Sequence, residues 1–312
     1  MRPLRCGSCG RFFIVNAYIC SLGPIGCRYH IILLIEMELH NIVFSPTETS
    51  LKIARSVADG ISGTAAAGSI LHNLTLGLQP GCISLRRSDL AVIAAPVYGG
   101  RMAPMAKERM KHIVADSTPC VLIAVYGNRA FENALSDMAE FVSGLGFVPV
   151  AAGAFVGEHS YSRPDTPIAV GRPDRADLDE AFGFGKAVGE TLKCESLRPV
   201  DVAVLHDEPL PEESLANFRA FVKVYSEGQK VNPVRLVPLI DPMLCSGCGK
   251  CVSVCPADAV SDDCRSSDPA KCIKCCACVK GCPSGARSLS SPFAPVLSAN
   301  FSRRKSPQWT VG

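Results

Sequence analysis

The sequence predicts a doubly wound α/β sheet of parallel strands joined to a small α+β module built around cysteines. Three observations carry this reading. Strand-length runs that are apolar throughout alternate with amphipathic helical stretches. The loops that end those strands are rich in Ser, Thr, Gly and Tyr. One cysteine pattern occurs twice near the end of the chain, displaced by 27 residues.

Cys245, Cys248, Cys251 and Cys255 fit C-x2-C-x2-C-x3-C with Pro256 next, and Cys272, Cys275, Cys278 and Cys282 repeat the pattern with Pro283. Ala259 and Ala286 keep the same register, which marks a duplicated unit. Each cubane needs four thiolates converging from a compact loop, and two-residue gaps let the backbone wrap a cluster edge. This is the dicluster ferredoxin pattern and predicts two [4Fe–4S] clusters. In such proteins the fourth cysteine of each run ligates the other cluster. That assigns Cys245, Cys248, Cys251 and Cys282 to the first cluster, and Cys272, Cys275, Cys278 and Cys255 to the second. A zinc ribbon also uses C-x2-C pairs but does not need eight ligands in this register with both prolines. A disulfide framework suits a small secreted domain rather than one segment of a long chain. Cys276 sits inside the second run, but taking it as a ligand would break the spacing, so Cys275 is preferred.

At 312 residues the chain exceeds one typical domain. Its net charge of +3 is too near neutral to argue for nucleic acid or an acidic membrane surface. No apolar run reaches the length of a membrane span. Seventeen cysteines would suggest an oxidising compartment, but thiolate-held clusters point to a reducing cytoplasm instead.

Residues 1–36 contain Cys6, Cys9, Cys20 and Cys27 and few acids. Three readings compete: a metal knuckle, a signal peptide without an A-x-A-like cleavage site, and a leader outside a functional chain that begins at Met37. The third is favoured, with the leader disordered or not part of the working protein.

From His40 an apolar strand runs to Phe44 and into Ser45-Pro-Thr-Glu-Thr-Ser50, followed by an amphipathic helix with Leu51, Ile53, Ala54, Val57, Ala58 and Ile61 on its apolar face. Strand, hydroxyl-rich turn and helix N-terminus make an anion site, with backbone N–H groups and the helix dipole facing the ligand. Asp89 to Ala95 reads as a buried strand ending in Pro96-Val97-Tyr98-Gly99-Gly100-Arg101, with a helix from about 103 to 114. Val121 to Val125 reads as another, ending in Tyr126-Gly127-Asn128, with a helix from about 131 to 144. In a doubly wound sheet ligands bind at the carboxyl ends of strands. One phosphate-binding loop and two carrying Tyr and Gly describe a flat aromatic cofactor with a phosphate tail. The run from Phe147 to Gly157 reads as the last strand or a split pair, and Glu158 to Ser162 follows as a lid over the cofactor or an ordinary surface loop. Helices are expected over 177–193 and 213–225. Cys82, Cys120, Cys194 and Cys264 match no pattern.

These loops resemble those of flavodoxins. Ser45, Thr47, Thr49 and Ser50 stand at or beside the hydroxyl positions of that family's phosphate loop, and the loops at 96–101 and 126–128 are similar to those that sandwich the isoalloxazine. The resemblance implies FMN, bound without a covalent link. Glu48 stands where flavodoxins usually have Gly, and a positive φ there would be unfavourable for it. From Met37 to Arg287 the whole chain resembles flavodoxin–ferredoxin fusion proteins. The expected division is a flavodoxin-like domain at 37–227, a linker at 228–240, the cluster domain at 241–287 and a disordered tail at 288–312. The expected role is electron transfer among the two clusters, FMN and an external redox partner protein or small-molecule acceptor. An alternative is a reductase acting on a quinone or nitro compound, with His159 or Tyr161 as proton donor, and a third is a redox sensor. Arg101 is a candidate for stabilising anionic reduced flavin, or else a surface ion-pair partner. No G-x-G-x-x-G fingerprint supports a direct nicotinamide donor.

Overall fold

A computed structural model describes residues 37–65, 68–77, 82–194 and 197–312, with β1 (Leu4–Arg5) and β2 (Phe12–Phe13) paired antiparallel. The expectations for the rest of residues 1–36 lie outside the described residues.

From Met37 the chain alternates strands and helices. The elements are β3 (Leu39–Val43), α1 (Thr49–Ala65), β4 (Ser69–Asn73), β5 (Ile83–Leu85), β6 (Leu90–Tyr98) and β7 (Arg101–Met102). They continue with α2 (Pro104–Met110), β8 (Ile113–Ala115), β9 (Thr118–Tyr126), α3 (Ala134–Ser143), β10 (Phe147–Val156) and α4 (Arg175–Lys193). The main sheet runs β4-β3-β6-β9-β10, all parallel. Numbered among themselves these five strands have the order 2-1-3-4-5, the flavodoxin-like doubly wound topology. Every residue of β3 is buried, as a strand covered on both faces requires. One apolar layer joins the sheet to α2 and α3 through Phe44, Ile93, Met110 and Met138, and the other joins it to α1 and α4 through Ile53, Val57, Phe155 and Phe184. α4 starts at a capping box in which Asp174 accepts from the Asp177 N–H and Asp177 accepts from the Asp174 N–H.

Two boundaries differ from the sequence reading. The predicted helix at 213–225 is α5 (Glu212–Val231), so helix occupies the start of the predicted linker. The predicted disordered tail is ordered structure. It forms α8 (Phe293–Asn300) and β13 (Gln308–Val311), and β13 pairs antiparallel with β10 to complete the sheet edge. The Ser/Pro content hid apolar anchors. Leu297 and Phe301 are buried, Phe301 packs edge-on to Phe218, and Trp309 stacks on Phe184 with ring centroids 5.3 Å apart. Polar ties hold the segment between α8 and β13. Asn128 Nδ2 donates to the carbonyls of Phe301 and Arg303, and the buried Lys305 donates to the Arg129 carbonyl.

The cysteine module closes its ends with β11 (Leu239–Ile240) against β12 (Arg287–Ser288), and each cysteine run ends in a one-turn helix, α6 (Lys250–Ser253) and α7 (Ala277–Lys280). Its apolar cluster is made largely of thiols: Cys251, Cys264 and Cys278 with Val260. Among the described residues no helix is long and apolar enough to cross a membrane.

At the amino end of the sheet His40 and His72 stack, with His40 Nδ1 3.0 Å from His72 Nε2. Burial lowers the affinity of both rings for protons and outweighs the attraction of Asp89 and Glu38 for a charged His40. The unfolded chain therefore binds protons that the folded chain refuses, and stability is lost as pH falls below the ordinary histidine range. The unfolding midpoint should drop between pH 7.5 and 5.5, and drop less in His72→Gln; equal declines in the two proteins would refute this. Trp309→Ala should cost about 2 kcal/mol in denaturant unfolding, because the ring is partly exposed and fills one side of the Phe184 contact.

Candidate functional site

The carboxyl ends of β3, β6 and β9 converge on one cavity of about 530 Å³. This volume lies in the range of cofactor sites. Ser45, Thr47, Thr49 and Ser50 line it from the first loop, Pro96, Val97, Tyr98 and Gly99 from the second, and Tyr126 and Gly127 from the third. The fold brings these residues together because it puts every loop that follows a parallel strand at the same end of the sheet.

The first loop is pinned from within. Ser45 Oγ accepts from the Leu51 N–H, and the Ser45 N–H donates to Thr75 Oγ1. The opening N–H groups of α1 have no intrahelical acceptors and add positive dipole at the cavity. Ser50 is fully buried, yet its Oγ has no hydrogen-bond partner. A buried hydroxyl in a cavity wall, without a partner, fits an absent anionic oxygen. Glu48 has φ of 63° and is exposed. The backbone therefore takes the glycine-favouring conformation while the carboxylate stays in solvent.

Three predicted contact residues fall outside the cavity wall. Gly99 and Gly100, with φ of 59° and 76°, form the two-residue turn between β6 and β7. The turn leaves Gly99 at the cavity and carries Gly100 away, against the Glu132 side chain. Arg101 then pairs with Asp137 at 3.1 Å on the outer side, where it is mostly exposed. Asp137 also binds Lys107 and the Met102 N–H. Burial opposes its charge, but these partners overcome it and hold the carboxyl below the usual range. Arg101 is thus a surface ion-pair partner. Asn128, with φ of 65°, turns its amide to the carbonyl groups of the C-terminal segment.

The loop after β10, which the sequence left open between a lid and an ordinary surface loop, supplies a further wall. Glu158, His159, Ser160 and Tyr161 line the cavity from the loop after β10, with the rings of His159 and Tyr161 4.9 Å apart between centroids. Gly127 makes this arrangement possible, because a Cβ there would lie 2.2 Å from the His159 ring. His159 Nδ1 accepts from the Tyr161 N–H, and burial, with Lys280 and Arg129 nearby, pushes its pKa down to about 4. Burial pushes the Tyr161 phenol up to about 12 and Tyr98 well above its ordinary value. Both phenols and the imidazole are therefore neutral near pH 7. The last wall comes from the cysteine module: Cys272, Ile273 and Lys274. Ile273 packs against the apolar core of the sheet, Arg109 donates to the Pro256 carbonyl, and Lys280 pairs with Glu158 at 2.7 Å.

The cysteines gather around two hollows. Cys245, Cys248, Cys251 and Cys282 line one, together with Cys264. Cys272, Cys275, Cys278 and Cys255 line the other, together with Cys276. Each hollow thus takes three thiols from one run and the fourth from the other run, and no described cysteine is in a disulfide. The two repeats also share their backbone. Gly247 and Lys274, Gly249 and Cys276, and Asp258 and Gly285 are pairs separated by 27 residues, and all six have positive φ. Cys276 is therefore the counterpart of Gly249, at the left-handed residue before a one-turn helix, rather than of a ligand-position cysteine.

Residues 238–261, which include the first cysteine run, match the 4Fe-4S binding domain family. Comparison with curated proteins found no match. Among solved structures, a flavodoxin from the domain Archaea is similar at 11% identity over 50% of this chain and 99% of its own, with a TM-score of 0.33. A Streptococcus pneumoniae TIGR4 flavodoxin is 16% identical over 50% of this chain and 99% of its own, at 0.34. An NADH:FMN oxidoreductase in apo form is 14% identical over 55% of this chain and 94% of its own, at 0.37. The fold rests on the strand order, which is flavodoxin-like. The chain joins that α/β domain to a 4Fe–4S ferredoxin domain.

A residue in the left-handed region costs roughly 1 kcal/mol when it carries a side chain. Glu48→Gly should therefore raise stability by up to about 1 kcal/mol, less what the freer unfolded chain takes back. It should also tighten FMN binding measured by fluorescence quenching. Weaker binding in the variant would mean that the Glu48 carboxylate holds the loop.

Proposed function

We propose that the protein is an iron–sulfur flavoprotein that carries electrons between two [4Fe–4S] clusters, a non-covalent FMN and an external redox partner in a reducing cytoplasm. One observation carries the reading: a single cavity has walls from the three flavin-type loops and from the cysteine module. FMN, when bound, supplies one- or two-electron chemistry, and each cubane supplies one electron.

The chain's own residues would divide the work. The α1 N-terminus and the Ser45, Thr47, Thr49 and Ser50 hydroxyls would hold the phosphate, with the unpartnered Ser50 Oγ as donor. Pro96, Val97, Tyr98, Gly99, Tyr126 and Gly127 would flank the ring, and the lid residues His159 and Tyr161 would exclude water. Cys245, Cys248, Cys251 and Cys282 would ligate one cluster, and Cys272, Cys275, Cys278 and Cys255 the other. Lys274, the one cationic side chain among the described residues of the cavity wall, would take the charge-stabilising role for which Arg101 was a candidate.

The reductase reading needs a proton donor at the flavin. His159 is kept neutral with a pKa near 4, and Tyr161 is kept protonated with a pKa near 12. Both can donate hydrogen bonds, but neither is matched to proton transfer at neutral pH. Electron carriage makes no such demand.

Anaerobically prepared protein should contain about eight irons, matching sulfide and one FMN per chain, as two cubanes and one flavin require. Eight irons without flavin would remove the flavin part of the proposal, and zinc in place of iron would remove both. Because thiols make up most of the module's apolar cluster, iron chelation should melt residues 239–288. It should also weaken FMN binding, since one wall is lost with the module. Unchanged FMN affinity after complete iron removal would show that this wall contributes nothing to the site.

A further inference from the structure

We infer that the two clusters have fixed and different places in the electron route: the second cluster alone faces the flavin, and the first exchanges electrons with the outside. The inference rests on the reading of the large cavity as the flavin site.

The geometry is asymmetric although the sequence repeat is symmetric. The hollow of the second cluster and the large cavity share Cys272 and Ile273. Cys272 is a ligand, and Ile273, bonded to it, is packed on the core of the sheet. Ligand thiolate, backbone and cavity wall are therefore contiguous. The hollow of the first cluster shares no residue with the large cavity. It shares Cys248, Gly249, Lys250 and Pro283 with a separate surface hollow, and Cys248 is exposed. The exchange of Cys255 and Cys282 between the runs interlocks the clusters, so electrons have a short path from the first to the second.

The repeat positions explain how equal motifs acquire unequal roles. Residues 246–247 are Ser-Gly in the first run, and their counterparts 273–274 are Ile-Lys in the second. The second run thus has a branched apolar side chain to seat against the sheet and a cation to project into the cavity, where the first run has neither. Gly247 and Lys274 share the left-handed conformation, with φ of 70° and 58°, so the lysine adopts a backbone that favours glycine. A side chain kept at such a position is expected to have a task there.

Full reduction of the flavin takes two electrons. In this order both arrive singly from the second cluster. The second cluster, held by Cys272, Cys275, Cys278 and Cys255, would pass on each electron received from the first, held by Cys245, Cys248, Cys251 and Cys282, which an external low-potential one-electron donor would supply. Proton uptake from water balances the charge on the flavin. In the opposite direction the same steps reverse.

The test uses holoprotein and two substitutions that leave all eight proposed ligands in place. Cys264→Ala alters the wall of the first hollow, and Cys276→Gly, which restores the glycine of the repeat, alters the wall of the second. The change that each variant makes in the EPR spectrum of the dithionite-reduced protein assigns the two signals. Potentiometric EPR titrations with and without FMN then follow each signal. FMN should shift the midpoint potential and g-values of the signal marked by Cys276→Gly and leave the signal marked by Cys264→Ala unmoved. A shift of the Cys264-marked signal, or of neither while FMN is bound, overturns the order. Absence of FMN binding in a separate fluorescence assay sinks the flavin reading itself and this inference with it.

Discussion

A parallel sheet must be covered on both faces and crossed over by helices, and most of this structure follows from that constraint. All of β3 and most of β6 and β9 are buried, so their side chains are mostly apolar, with His40, Asn41 and Thr118 as buried polar exceptions. Chemistry is displaced to the loops after the strands. The order 2-1-3-4-5 then gathers the loops after β3, β6 and β9 around one crevice. The phosphate-type turn, the Gly99–Gly100 hairpin and the Tyr126–Gly127 loop are neighbours for that reason alone.

The cysteine module obeys a different constraint. It has little apolar surface of its own, and its core is largely the thiols that would hold iron. Metal and fold are then one problem. The module is not isolated, however. Ile273 packs against the core of the sheet, Lys280 pairs with Glu158, and Arg109 reaches the Pro256 carbonyl. The C-terminal segment adds to this union, since β13 completes the main sheet after the chain has passed through the module. Two segments far apart in sequence behave as one compact unit from Met37 to Gly312.

Charge is used sparingly around the cavity. His159, Tyr98 and Tyr161 are all held neutral by burial. Glu158 is paired with Lys280, which leaves Lys274 as the unpaired charge in the wall among the described residues. A wall of this kind favours added negative charge, as would accompany flavin reduction, and offers no strong acid or base.

The cysteine register, the apolar strands and the hydroxyl turn were legible in the chain because each is a local pattern: a fixed spacing, a continuous apolar run, a strand followed by a helix start. Even the left-handed backbone at Glu48 could be anticipated from the residue it replaces. Arg101 and Asn128 were misread because both follow strand-end glycines, and only the path of the turn decides which side chains face inward. The tail was misread because Phe301 and Trp309 are too sparse to form a periodic pattern, and their partners Phe218 and Phe184 are distant in sequence. The sequence by itself determined the two modules and most of the residues that line their hollows. Only the tertiary structure decided which cysteine run meets the large cavity, because the repeat is symmetric and the packing of Ile273 against the sheet is not.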